Sequence, residues 1–141
     1  MAATLKLEIV TPQGQVYSGD VDTVTLPGSE GEMGILPMHT PLITLLGEGE
    51  IIARQGPKEE RFVVTGGCAE ITGSRVAVLT VFATAEDAID ETKAEEARRR
   101  AEARLKEKLT PEETSLVQAS LAHSLAQLRY KRRGRPPRGS H

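Results

Sequence analysis

The chain has 141 residues, enough for one modest domain with an appendage and too few for two full cores. Its single cysteine, Cys68, excludes an intrachain disulfide framework and a thiolate zinc site, and reads as a small buried hydrophobe. The net charge of −2 hides a division: residues 1–86 hold five Lys/Arg against eleven Asp/Glu, while residues 87–141 hold thirteen against nine. No apolar run approaches the ~20 residues that cross a bilayer, and the opening "MAATLKLEIV" carries neither a signal nor a transit pattern, so a soluble intracellular chain is expected.

In the front part, short β-branched runs alternate with turn signals. "LKLEIVT" precedes Pro12 and Gly14, "VDTVTL" precedes Pro27 and Gly28, and "PLITLL" precedes Gly47 and Gly49. "EIIARQ", "RFVVT", "AEIT" and "RVAVLTVFA" continue the series, with turn signals at Gly56-Pro57, Gly66-Gly67 and Gly73. A spacing of about 8–12 residues between turns predicts a sandwich or barrel. Leu5, Leu7 and Ile9 alternate with Lys6 and Glu8, which predicts an antiparallel sheet with one face on a core and the other in water.

The loop "GEMGILPMHTPL", Gly31 to Leu42, reads as a shaped, largely non-repetitive edge. Its apolar residues either close one end of the sandwich or form a docking surface beside Glu30 and Glu32. "GEGE", Gly47 to Glu50, has the spacing of a partial phosphate loop, but its acids repel phosphate and it reads as a turn.

From Ile89 the hydrophobic period changes. Ala94, Ala97, Ala101 and Leu105 recur at three and four residues, predicting an amphipathic helix through about Leu109. "TPEE" then supplies a cap at Thr110, a proline at the first helical position and a capping box closed by Glu113, so a second helix is expected to about Lys131. Its apolar face is Leu121, Leu125 and Leu128 with Ala119, Ala122 and Ala126 alongside. Helices meeting through alanines bury little surface, at about 0.8 kcal/mol per CH₂, so the pair can separate. The expected division is therefore a β-sandwich over 1–87, a helical hairpin over 88–133 and a disordered tail over 134–141, whose Gly139-Ser140-His141 resembles the start of an expression tag.

Enzyme signatures are missing: there is no Walker-type phosphate loop, no paired-histidine zinc helix and no serine nucleophile elbow. His39 and His123 lie in different segments without partners for a metal, and each is expected to be structural. In "EARRRAEARLKEK" cations alternate with glutamates, and four aromatics in the whole chain leave little for base stacking, so nucleic acid is not the expected partner.

"GSEGEMGILPMHTPLI", followed by "GGCAEI" and "AEDAIDETKAEEARRRAEARL", resembles the epsilon subunit of bacterial and chloroplast-type F-type ATP synthases, over the chain to about residue 133. The resemblance implies a ten-stranded antiparallel β-sandwich followed by a two-helix antiparallel hairpin. It also implies a non-catalytic central-stalk subunit of this proton-translocating rotary motor, bridging the gamma subunit and the c-ring and restraining ATP hydrolysis through the hairpin. On this reading Glu30, Glu32, Met33 and His39 belong to the surface meeting the c-ring and gamma subunit. Lys93, Arg98, Arg99, Arg100, Arg104, Lys106 and Lys108 face acidic segments of the beta subunits, beside alpha, in an extended inhibitory state.

Some members of that family bind ATP on the hairpin through an Ile-Asp-x-x-Arg-Ala motif. Ile89, Asp90, Ala94 and Arg100 match positions of that site, but Lys93 replaces the motif arginine and lacks its planar fork. Thr84 and Leu125 stand where such members carry a glutamate and an arginine, so weak or absent ATP binding is expected and no other cofactor. A nucleotide-sensing module is the alternative function. The implied location is peripheral, on the cytoplasmic face of a bacterial plasma membrane or the stromal face of a thylakoid.

Overall fold

A computed structural model describes residues 3–134, with side chains through residue 131. Among these residues eight strands precede two helices: β1 (Leu5–Thr11), β2 (Gly14–Val21), β3 (Thr23–Gly28), β4 (Gly31–Ile35), β5 (His39–Gln55), β6 (Lys58–Gly73), β7 (Arg75–Leu79), β8 (Ala83–Ala85), α1 (Glu91–Arg104) and α2 (Pro111–Gly134). A short 3₁₀ turn, Glu86–Ala88, joins the sheet to the helices.

The strands are hydrogen-bonded in the order β2-β1-β7-β6-β5-β3-β4, with β8 also on β6. β5 and β6 are long, 17 and 16 residues, and pair with each other from His39↔Gly73 to Gln55↔Lys58. β6 changes its outer neighbour midway. The second half of β6 takes β7 (Cys68↔Leu79 to Thr72↔Arg75), while its first half takes β8 (Phe62↔Ala85 to Val64↔Ala83). β3 lies along β5 from Thr23↔Arg54 to Gly28↔Leu46, chiefly on its second half. Two layers result, and β5 and β6 belong to both.

Alternation then sorts the side chains. Leu5, Leu7, Ile9, Ile71, Val76 and Val78 from one layer meet Val24, Leu26, Ile35, Ile51, Phe62 and Val64 from the other in one core, all essentially inaccessible. The "LKLEIV" pattern predicted its inward face correctly.

Several expectations change. The ten implied strands are eight continuous ones, and counting the two halves of β5 and β6 apart restores ten. The sheet is not wholly antiparallel, because β1 runs parallel to β7, from Lys6↔Arg75 to Val10↔Leu79; these strands come from opposite ends of the sandwich sequence and no hairpin joins them. "GEGE" is not a turn but lies inside β5. Gly49 is required there because a Cβ would stand 2.6 Å from Pro27 Cβ. The Gly66-Gly67 signal likewise lies inside β6: Gly67 has φ +118° and a Cβ would meet Leu79 O at 2.3 Å. These glycines let long strands cross between layers rather than ending them. The loop at 31–42 is mostly strand, with only residues 36–38 irregular between β4 and β5. Cys68 faces outward and is half-buried, since Ala69 and Ile71 take the inward positions of its strand.

The helices follow their caps. Asp90 accepts from Thr92 N–H at 2.9 Å and Lys93 N–H at 3.2 Å and starts α1. α1 has 14 residues and ends at Arg104, short of Leu109, because the next amides bond three residues back (Lys106 N–H to Ala103 O, 3.2 Å) and the chain turns. The capping box forms as predicted: Glu113 N–H donates to Thr110 Oγ1 at 3.1 Å and Thr110 N–H to Glu113 Oε1 at 3.0 Å, which holds the Glu113 carboxyl below its usual range. α2 is longer than expected, 24 residues, and Leu125 lies outside its buried face. The expected tail beyond Gly134 lies outside the described residues.

Candidate docking surfaces and helix seam

The outer face of the β1–β7 layer carries a strip of exposed apolar side chains. Leu45, Cys68 and Leu79 stand side by side across β5, β6 and β7 because Leu45 pairs with Cys68 and Cys68 with Leu79. Ile43 is two residues along the same face, and Ile43, Leu45 and Leu79 are 72%, 66% and 57% exposed. Isolated apolar residues on a surface need no explanation, but a contiguous strip points to a partner. "PLITLL" hid it, because a continuous apolar run does not reveal which alternate set faces water.

Next to this strip the β3–β4 turn is fastened to β5 by Ser29 N–H donating to Leu45 O at 3.0 Å. Glu30, Glu32 and Met33 border one shallow cavity of about 260 Å³ with Thr44. Both glutamates are exposed, whereas Met33 is half-buried against the sandwich core. His39 is not with them. It opens β5 opposite Gly73, and its Nδ1 lies 2.7 Å from Thr40 O. The irregular segment beside it is held by Met38 N–H to Gly73 O at 2.9 Å, and leaves Leu36 and Met38 exposed.

On the opposite face α2 is docked on the sheet. Val63, Ile89 and Ala126 form a second buried cluster with Tyr130 against it. Arg129 is ion-paired with Glu48, and Gln127 Nε2 donates to Thr84 Oγ1 at 2.9 Å. His123 is buried, its ring stacked on Phe82 with centroids 5.3 Å apart and its Nε2 2.9 Å from the same Thr84 oxygen. Burial pushes His123 down to about 4, so it is neutral near pH 7. Thr84 thus anchors α2 from within the fold. The sequence marked Thr84 only as a departure from a ligand-binding pattern.

A carboxyl pair that sequence inspection missed lies under the end of α2. Glu50 pairs with Val63 across β5 and β6, with Glu86 of the 3₁₀ turn as its acidic neighbour, while Arg61 reaches it at 3.1 Å. Burial, then the Glu86 contact, raises Glu50 to about 7 against the opposing pull of Arg61. Only the strand pairing brings Glu50 and Glu86 together, so no local motif marks them.

The hairpin cations are dispersed. Arg98 bonds Glu95 (Nε to Oε1, 3.0 Å) and Glu102 (2.8 Å), Arg99 lies 3.7 Å from Glu95, and Arg104 lies 3.7 Å from Glu113 across the hairpin. Among the described residues no ion pair holds Lys93, Arg100, Lys106 or Lys108; Lys106 and Lys108 sit in the turn between helices. The residues of the ATP motif are not gathered into a cavity. Ile89 packs under α2, Asp90 caps α1 and Ala94 is buried in the helix seam. Arg100 instead lines, with Arg104, Ala101, Val117 and Phe82, an open cavity of about 400 Å³.

Among the described residues no Asp, Glu, His or Cys group is arranged to hold a metal, and no helix is long and apolar enough to cross a membrane. Fold and surfaces define a two-layer sandwich with an apolar strip and an acidic turn, carrying a helical hairpin on its other face. Residues 4–86 match the family described as ATP synthase, Delta/Epsilon chain, beta-sandwich domain, and residues 87–131 match its long alpha-helix domain. The ATP synthase epsilon chain of Dehalococcoides mccartyi is 44% identical over 137 residues, covering 95% of this chain and 98% of that one. The chain belongs to the ATP synthase delta/epsilon family, among relatives named as epsilon chains. In fold it is similar to a chain of the Euglena gracilis mitochondrial ATP synthase, with a TM-score of 0.63 at 23% identity, covering 88% of this chain and 79% of that one. A chain from the central stalk and c-ring of the Tetrahymena thermophila enzyme gives 0.56 at 12% identity, covering 90% and 96%.

Proposed function

We propose that this chain is a non-catalytic rotor subunit of the ATP synthase central stalk, couples c-ring rotation to ATP synthesis through the gamma subunit, and restrains ATP hydrolysis through its hairpin. The observation that carries the docking half is the strip of Ile43, Leu45 and Leu79, contiguous and exposed on the face that the hairpin leaves open. Gamma covers this strip, while Glu30 and Glu32 pair with basic c-ring loops and set register; apolar neighbours supply the affinity. Membership of the family and the fold shared with the Tetrahymena central-stalk chain support this reading. The subunit is peripheral, on the cytoplasmic side.

The braking half rests on the thin seam between α2 and the sheet. When the hairpin extends, Lys93, Arg98, Arg99, Arg100, Arg104, Lys106 and Lys108 meet acidic beta-subunit segments. Two experiments separate the halves. Leu45→Asp is expected to abolish capture by a matching gamma subunit, and undiminished capture sinks the docking surface. The full chain is expected to inhibit ATP hydrolysis by a matching catalytic head, and a chain truncated after Ala88 is not; equal inhibition by both removes the hairpin from regulation.

A further inference from the structure

Among the polar contacts that seat α2, one has no reserve. His123 is buried where α2 meets β8, 7% exposed, with its ring stacked on Phe82 and its Nε2 2.9 Å from Thr84 Oγ1. The same hydroxyl oxygen accepts from Gln127 Nε2 at 2.9 Å, so one oxygen serves two residues a turn apart on α2. His123 Nδ1 is buried with no hydrogen-bond partner among the described residues. Its buried neighbour Ser124 is spent elsewhere, donating from Oγ to Ser120 O of its own helix at 3.1 Å.

This seat suits a neutral imidazole and not a charged one. A neutral ring has one N–H and one bare nitrogen, and the Thr84 hydroxyl can complement Nε2 in either tautomer. An imidazolium carries two N–H donors and needs two acceptors, and the seat has one. Phe82 offers only a ring face, which holds a cation less well than the water it displaces. Charged groups around the seam are turned to other partners. On α2, Arg129 is paired with Glu48, and Lys131 lines a cavity with Glu86 and Asp87. On α1, Glu95 is held by Arg98, and on the strands Glu50 is held by Arg61. Among the described residues no carboxylate offsets a charge on His123, and burial alone depresses its affinity for a proton.

We propose that the His123–Thr84 contact is an acid-released catch, by which uptake of one proton on His123 unseats α2 from the sandwich. The ring binds its proton less tightly docked than lifted, because water supplies the acceptors that the seat lacks. Docking therefore keeps this contribution in full above about 6.5, the ordinary histidine value, and loses it as pH falls toward about 4. From pH 7 to pH 5 the docking equilibrium weakens roughly tenfold. By the same linkage, whatever lifts α2 raises the affinity of His123 for its proton. Acid loosens this one seam and leaves the sandwich intact, since the buried side chains between the layers are all apolar. Only the lifting of α2 is required, whether or not the hairpin acts as a brake.

Amide hydrogen exchange of α2 in the full chain, corrected for intrinsic rates, tests this at pH 7 and pH 5. Protection of α2 in the native chain is expected to fall roughly tenfold further than in His123→Gln, which keeps a polar partner for Thr84 and carries no charge at either pH. Glu50, raised to about 7, is present in both chains and so drops out of the difference. Equal pH dependence in the two chains overturns the proposal. If His123→Gln does not fold, NMR titration of the native ring decides: a His123 still neutral at pH 6 supports the catch, and an ordinary midpoint near 6.5 refutes it. Reciprocity gives a second check through Ala126→Leu, which adds volume against Val63 beneath α2. Where the α2 amides of that variant exchange faster, the His123 midpoint is expected to climb toward about 6.5, and a midpoint that stays near about 4 overturns the proposal.

Discussion

The sandwich and the hairpin are built to different standards of attachment. Between the layers, Leu5, Leu7, Ile9, Leu26, Ile51 and Ile71 are fully inaccessible, and every strand contributes to one continuous core or its margin. Between α2 and the sheet the buried apolar side chains of the cluster are Val63, Ile89 and Ala126, and polar contacts are Thr84 with His123 and Gln127, plus Arg129 with Glu48. The helix–helix seam is equally lean, closed by Ala94, Ala101 and Val117. Each buried CH₂ contributes about 0.8 kcal/mol, so a core of branched aliphatics resists opening and an alanine seam does not. The difference teaches that one chain can hold a rigid mount and a detachable arm through side-chain volume alone.

The largest expected effect strikes the mount. Leu7→Ala should cost about 2–5 kcal/mol and lower the melting of sheet and helices together, since α2 has nothing to pack on without β6. Thermal unfolding followed by circular dichroism reads this, and helices that persist after the sheet melts would break the comparison. Ala126→Leu is milder in total and more selective. Ala126 is fully enclosed against Val63, so added volume should lift α2 at about 1–3 kcal/mol and speed exchange of its amides, with the sheet amides unchanged. Sheet amides that exchange faster in step would show that the seam is part of the core. Smallest is Thr110→Ala, which removes the Oγ1 acceptor of Glu113 N–H and should cost about 1 kcal/mol, read as lost helicity in the first turn of α2.

The sequence made these regions unequally legible. Alternation in "LKLEIV" and the period change near Ile89 revealed a β-sandwich followed by two helices, because both signals are local and repeat over several residues. The capping box was legible for the same reason. Gly47, Gly49, Gly66 and Gly67 misled, because the same residue that permits a turn also permits two backbones to approach, and only the crossing of layers distinguishes these uses. The parallel pairing of β1 with β7 left no local mark, since it joins residues some seventy positions apart. Of the candidate sites, the glutamates beside the β3–β4 turn were visible as residues. Their neighbour, the apolar strip, was not, because it is assembled across β5, β6 and β7. Glu50 and Glu86 were invisible for that reason too: 36 residues separate two carboxyl groups that the fold makes neighbours.

β5 and β6 belong to both layers, and this has a mechanical consequence. In a sandwich whose layers touch only through side chains, shear is resisted by packing and the layers can creep. Here a load applied near His39 and Gly73 passes along two covalent backbones, cross-linked by their own hydrogen bonds, to the half of the sheet beneath α2. No joint made of side chains alone lies on that route. The ribbon stiffens the mount against twisting, and strain at one face is delivered directly to the seam on the other.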